Sequence, residues 1–228
     1  MRYVASSVLT PLLILGLATA ATADDFYPIS AVSASTSATD LWPASNLIQG
    51  PGVGIDANEP HDKILGGAEG NWVTAAPGGF PTDYIAVAGM PIIELDLGQD
   101  RDLSEISVWG YASTNANGLS EFSLRFATEA DGPAGFGTSI SFNPSYAGLP
   151  NDDTIRQSFS LGQTVSARYV ELTAVDNHFI APGDGSGGET PGGDRVGIGE
   201  IAFAVPEPTS LLLLFGATCL LGMFIRRL

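Results

Sequence analysis

The amino-acid sequence predicts an all-β domain, an antiparallel two-sheet sandwich, set between an N-terminal signal peptide and a C-terminal transmembrane helix. Three observations carry this. Apolar and polar residues alternate with a period of two in several short runs through the middle of the chain. Those runs are separated by clusters of Gly, Pro, Asn and Asp, with 28 Gly and 15 Pro among 228 residues, as turns between strands require. Strongly apolar, uncharged stretches lie near both ends, outside the region of alternation.

The predicted strands are Ala31–Ser37, Ile92–Leu97, Leu103–Tyr111, Glu121–Phe126, Ser139–Phe142, Ile155–Leu161, Arg168–Ala174 and Gly199–Val205. Ile93, Leu95 and Leu97 fall on one face of their strand, Glu94 and Asp96 on the other. Glu121–Phe126 repeats the pattern, with Phe122, Leu124 and Phe126 inward and Glu121, Ser123 and Arg125 outward. The sandwich is therefore assigned to residues 31–204, preceded by a linker at 24–30. Between Leu41 and Ala88 the alternation fails, yet Trp42, Trp72, Phe80 and Tyr84 all occur there. Long loops in a compact domain are commonly functional, which makes this segment the place to expect a site. The Gly-rich run from Pro182 to Gly193 is a second such place, its plainer alternative being a flexible exposed tip.

The chain begins with Arg2, an apolar stretch from Val8 to Leu17, and Ala21-Thr22-Ala23 before the acidic pair Asp24-Asp25. That order is the build of a secretory signal cleaved after Ala23, giving a signal peptide at residues 1–23. At the other end Thr209–Ile225 is an uncharged apolar run of seventeen residues. As a helix it would reach about 25 Å, the short end of what crosses a bilayer. Arg226 and Arg227 follow, which places the terminus on the cytoplasmic side. Pro206-Glu207-Pro208 stands just before the span. The three parts in this order, residues 205–228, resemble the PEP-CTERM sorting signal. The resemblance implies an exosortase-type processing enzyme as partner, a transient stay in the inner membrane, removal of the span and delivery to the cell surface or extracellular matrix.

Between Asp24 and Val205 lie 24 of the 25 acids and 6 of the 9 bases, a net charge of −18. Such a surface repels phosphate backbones and excludes nucleic acid as a partner. The single cysteine, Cys219, falls in the C-terminal span, so no intramolecular disulfide staples the domain.

Several segments of the middle resemble a galactose-binding-like domain, the jelly-roll sandwich of discoidin and coagulation-factor type C modules. Pro43 to Gly50 resembles the opening loop of that family, and Glu94-Leu95-Asp96-Leu97-Gly98 its strand closing on a Leu-Gly turn. Ile106 to Trp109 with Ser123 to Thr128 is similar to the central hairpin. Arg168 to Leu172 and Val196 to Ile201 resemble the last two strands. The resemblance implies a carbohydrate-binding type of module and, in many members, a structural Ca2+, an ion that takes six to eight oxygens from irregular loops. Glu200 matches the late acid of that site, Gln49 stands where the family commonly has Asp, and Asp56 lies close by in sequence.

Catalytic constellations are missing from the pattern. The two histidines, His61 and His178, are not in a His-Glu-x-x-His arrangement, there is no Gly-x-Ser-x-Gly elbow, and Gly50-Pro51-Gly52-Val53-Gly54 has no following Lys and reads as a turn. The chain is therefore expected not to be an enzyme, a hydrolase being the least supported class. His178 and Arg195 flank the Gly-rich tip and suit sugar hydroxyls, with Trp72 as a surface for a pyranose face. The plainer alternative pairs Arg195 with Asp194 and leaves His178 as a loop cap. At the level of function, binding of exopolysaccharide stands beside a structural matrix role without a small ligand.

Overall fold

The computed structural model describes residues 26–38, 41–49, 70–111, 115–137, 139–142 and 156–205. The signal peptide, the apolar C-terminal span, Asp56, His61 and the residues Pro206, Glu207, Pro208, Arg226 and Arg227 lie outside them. Among the described residues eight strands run in chain order: β1 (Ala31–Ala34), β2 (Trp72–Val73), β3 (Ile92–Trp109), β4 (Leu119–Ala127), β5 (Ile140–Phe142), β6 (Arg156–Asn177), β7 (Gly197–Ile198) and β8 (Glu200–Phe203). The main sheet has the order β1-β3-β6-β4-β5, all antiparallel, with β8 pairing the later half of β3. β2 and β7 form a separate antiparallel pair.

Two pairs of predicted strands are single long ones. Ile92–Leu97 and most of Leu103–Tyr111 join into β3, and the described residues 156–161 join Arg168–Ala174 in β6. The ladder between them shifts register between Asp96 and Arg101 and again between Leu103 and Glu105. Gly98 sits at the first shift with φ +79°, a conformation that a side chain would resist. Such irregularities bend a strand sharply while pairing continues, so one strand serves both layers. Phe122 on β4 shows the result. Its register partner is Ala174 in the second half of β6, yet its ring meets Phe159 from the first half edge-on, with centroids 5.6 Å apart. The two halves of β6 therefore lie in opposed layers, and the space between them is the core. Ile93, Leu95, Leu124, Val170, Leu172 and Phe203 fill it.

Within the segment assigned as a linker, the described residues 26–30 contact the sandwich. Phe26 bridges Ala204 and packs edge-on against Trp109 at 6.0 Å, and Ile29 is buried. The described parts of the Leu41–Ala88 segment are also more ordered than predicted. They hold a 3-10 helix at Ala44–Ile48, strand β2, and the short helix α1 (Tyr84–Ala88), whose first turn is capped by Asp83 accepting from the Ala86 N–H at 3.1 Å.

The Gly-rich tip is hydrogen-bonded within itself and to its base. The Glu189 carboxylate accepts from the N–H groups of Gly185 at 2.8 Å and Gly187 at 3.0 Å. Its own backbone N–H, followed by those two, holds its pKa below the usual carboxylate range. At the base, Asn117 Oδ1 accepts from Gly193 N at 2.6 Å, and Asn177 Nδ2 donates to the carbonyls of Gly193 and Arg195 at 2.9 and 2.8 Å. Gly193 has φ +92°, and a Cβ there would lie 2.5 Å from Phe179. Glycine is thus needed for contact as much as for conformation.

Candidate functional site

The three residues assigned to a sugar site do not share one. Trp72 is fully buried on β2 beside Ile198, and its indole N–H donates to the Thr36 carbonyl at 3.0 Å. It is a core residue with no face open to a ligand. The segment around it shows no alternation from which burial would follow. His178 is half-buried, with its imidazole edge against Gly118. Its Nε2 is buried without a hydrogen-bond partner among the described residues. That burial pushes its pKa down, against the opposing pull of Asp176 and of the Leu119 backbone. Arg195 reaches elsewhere: Nη1 donates to the Thr74 carbonyl at 3.0 Å, and the guanidinium lies 5.9 Å from the Trp42 ring centroid. Asp194 stands 3.9 Å from its Nε, longer than a hydrogen bond. The aromatic beside Arg195 is therefore Trp42.

Of the implied calcium ligands, Glu200 opens β8 and is buried, while Gln49 is exposed at the end of the 3-10 helix. Among the described residues no three His, Cys, Asp or Glu side chains gather where they would hold a metal ion. The described donors thus amount to one carboxylate and one amide, with Asp56 outside the described residues.

A different site lies on the open face of the main sheet. Register builds it rung by rung. Ser33, Glu94, Glu171 and Arg125 line up across β1, β3, β6 and β4. Ala31, Asp96, Tyr169 and Ala127 form the next rung. The segment after β4 turns back over this face, held by Asp131, whose carboxylate accepts from the Thr128 hydroxyl and N–H and is thereby kept below its usual pKa. It carries Pro133 and Phe136 as a wall. Between wall and sheet is a cleft of about 200 Å³ floored by Ser33, Glu94, Asp96 and Tyr169.

Ion pairs fix both rings of this cleft. Arg125 grips Glu171 with two hydrogen bonds of 2.7 Å, and its guanidinium carbon lies 5.4 Å from the Phe136 centroid. Arg168 grips Asp96 at 2.9 and 3.1 Å and lies 4.9 Å from the Tyr169 centroid. The Arg168 hydrogen bond, with a further one from Gly98 N–H, holds the Asp96 carboxyl below the usual carboxylate range. Sequence reasoning missed the cleft, because only the register of four strands and the return of the 128–137 segment bring these residues together.

The fold is that of an antiparallel β-sandwich. A family 32 carbohydrate-binding module of NanJ from C. perfringens, solved with galactose, shares 14% identity over 79% of this chain and 98% of its own, with a TM-score of 0.45. The lectin domain of lectinolysin, complexed with Lewis B antigen, shares 16% over 80% and 97%, with a TM-score of 0.49. A chitosan-binding module of a chitosanase/glucanase from Paenibacillus sp. IK-5 shares 12% over 80% and 98%, with a TM-score of 0.48. At these identities and scores the likenesses carry nothing about a ligand. No curated protein matches the chain in sequence. The PEP-CTERM protein-sorting motif matches residues 204–227. The chain therefore carries a PEP-CTERM signal at its C-terminus, which marks a protein exported and processed by an exosortase.

Proposed function

We propose that the sandwich is a carbohydrate-binding module displayed at the cell surface or in the extracellular matrix, and that it binds its ligand without turning it over. The observation that carries this reading is the sheet-face cleft, where Tyr169 and Phe136 are pre-positioned by ion-paired arginines beside polar groups. Apolar pyranose faces stack on such rings while hydroxyls bond the carboxylates, and rings already held in place lose little freedom on binding.

Retention of the full-length protein, purified in detergent, in gels containing soluble polysaccharides tests the reading. Phe136→Ala and Tyr169→Ala should each weaken retention about tenfold, as loss of a stacked ring does. Undiminished retention by both variants would remove the cleft. Retention of no polysaccharide by the wild type would favour a purely structural matrix component.

Processing is the second part of the proposal. With its span halted in the membrane by Arg226 and Arg227, the chain presents Pro206-Glu207-Pro208 just outside the bilayer. Two prolines keep that strip extended, a shape that a membrane peptidase can grip. The mature form should end near Pro206 to Pro208 and lack Cys219. Mass spectrometry of extracellular protein from the native host checks this; a mature pool ending at Leu228 would mean a simple anchor.

A further inference from the structure

The charges around the cleft are unbalanced in one place. Glu94 and Glu171 stand directly opposite each other on β3 and β6, and only one cation, Arg125, occupies their rung. Arg125 is committed to Glu171. On the next rung Arg168 is committed to Asp96 and, at 3.2 Å, to Glu129. Glu94 has the Ser33 hydroxyl at 3.4 Å and no ion pair among the described residues, although it is exposed and lines the cleft. Like charges directly opposite on adjacent strands destabilise the pairing. Four acids thus share two bases around the opening, within a domain whose overall charge is −18.

From this we infer that the cleft takes a polysaccharide whose sugars carry free amines, a chain at once cationic and rich in hydroxyls. The inference rests on the glycan-binding reading above and narrows it. Glu94 receives the ammonium group and relieves its repulsion with Glu171, while the Ser33 hydroxyl and the outer lone pairs of Asp96 bond sugar hydroxyls. The rings contribute area and not charge preference, because each already has a guanidinium over one face. Discrimination therefore comes from the carboxylates. A uronic acid chain meets surplus negative charge and is refused, and an N-acetylated chain stacks but gains nothing from Glu94.

Calorimetry of the full-length protein in detergent, with glucosamine oligomers and N-acetylglucosamine oligomers of equal length, tests this at mildly acid pH. The glucosamine oligomer should bind about threefold to fivefold tighter, the worth of an exposed ion pair, and the advantage should shrink with added salt. Glu94→Gln should erase the ratio between the two oligomers, whereas Phe136→Ala should weaken both and preserve it. Equal affinity for the two oligomers overturns the amine preference and leaves glycan binding standing. Binding of neither overturns the amine preference, and the polysaccharide gels then decide glycan binding itself. Sedimentation of the free protein as a dimer that Glu94→Gln alters, with no oligomer bound, would assign the cleft to a second copy and overturn the inference equally.

Discussion

At the end of the sandwich that carries the Gly-rich tip, buried polar side chains serve the backbone; on the open sheet face they serve one another and leave a carboxylate over. Asn117 and Asn177 are buried, and their amides bond carbonyl and N–H groups of the tip. The Asn177 amide is occupied on both sides, by the Gly193 and Arg195 carbonyls and by the Phe179 N–H. On the sheet face, Arg125 and Arg168 pair with Glu171 and Asp96, and Glu94 is left at the rim. Residue types that look functional in a sequence can be wholly engaged in shaping a loop. Surplus is what distinguishes a site, and surplus appears only once partners are known.

The largest effect that separates the two regions is on stability. Asn177→Ala would strip the Arg195 carbonyl and the Phe179 N–H of the Asn177 side chain at once and leave the Gly193 carbonyl with the Tyr84 N–H alone. Each buried group left unsatisfied costs about 1–3 kcal/mol. We expect a loss of about 2–4 kcal/mol in all, roughly 5–15 °C in Tm for a domain of this size. Glu94→Gln should leave Tm unchanged or raise it slightly, since it removes a like-charge pair. Thermal unfolding of the two variants side by side measures the difference. A tip variant as stable as wild type would mean that the tip is not a structural unit.

Much of the fold was legible and the cleft was not, for a physical reason. Alternation in Ile92–Leu97 and Glu121–Phe126 reports which face of a strand is buried, because burial acts on each residue separately. Phe122, Leu124, Ile93 and Leu95 accordingly lie in the core as the pattern requires. Continuity of β3 and β6 through their bends was hidden, since Gly98 and its neighbours read equally well as a turn between two strands. Trp72 illustrates a second limit. An aromatic in a Gly-rich segment looks like a surface ring, and only its pairing with β7 shows that it closes the core. Glu94, Tyr169 and Arg125 are far apart in the chain, so no local pattern could join them.

A smaller effect would come from calcium if Glu200 and Gln49, with Asp56, hold a structural ion as the family resemblance implies. An ion that binds only the native state stabilises it by about 2.7 kcal/mol at a hundredfold excess over its Kd. Tm should then rise with the logarithm of free calcium, and Glu200→Gln should flatten the response. Identical melting curves in chelator and in excess calcium would remove the ion from this region and leave the buried carboxylate as part of the core's own network.

The smallest expected effect, and the one most specific to the tip end, is the pH dependence set by His178. Burial disfavours its charged form, so its folded pKa lies below the unfolded value of about 6.5. Between those two values the unfolded chain binds the extra proton, and stability therefore rises with pH across that window. His178 contributes no penalty above about pH 6.5, a growing one as the pH falls below it, and a constant one once the pH is below the folded pKa. Asp96, whose folded pKa is depressed by Arg168, loses its contribution only at a lower pH, as the carboxyl protonates. The two windows open at different pH, that of His178 at about 6.5 and that of Asp96 at about 3.9. Urea unfolding at a series of pH values should show a shallow slope just below pH 6.5 that His178→Gln abolishes, and a second slope in the carboxylate range that Arg168→Gln diminishes. If His178→Gln leaves the upper slope in place, the imidazole is not the group that titrates there, and its buried Nε2 must be satisfied in the folded state in both charge forms.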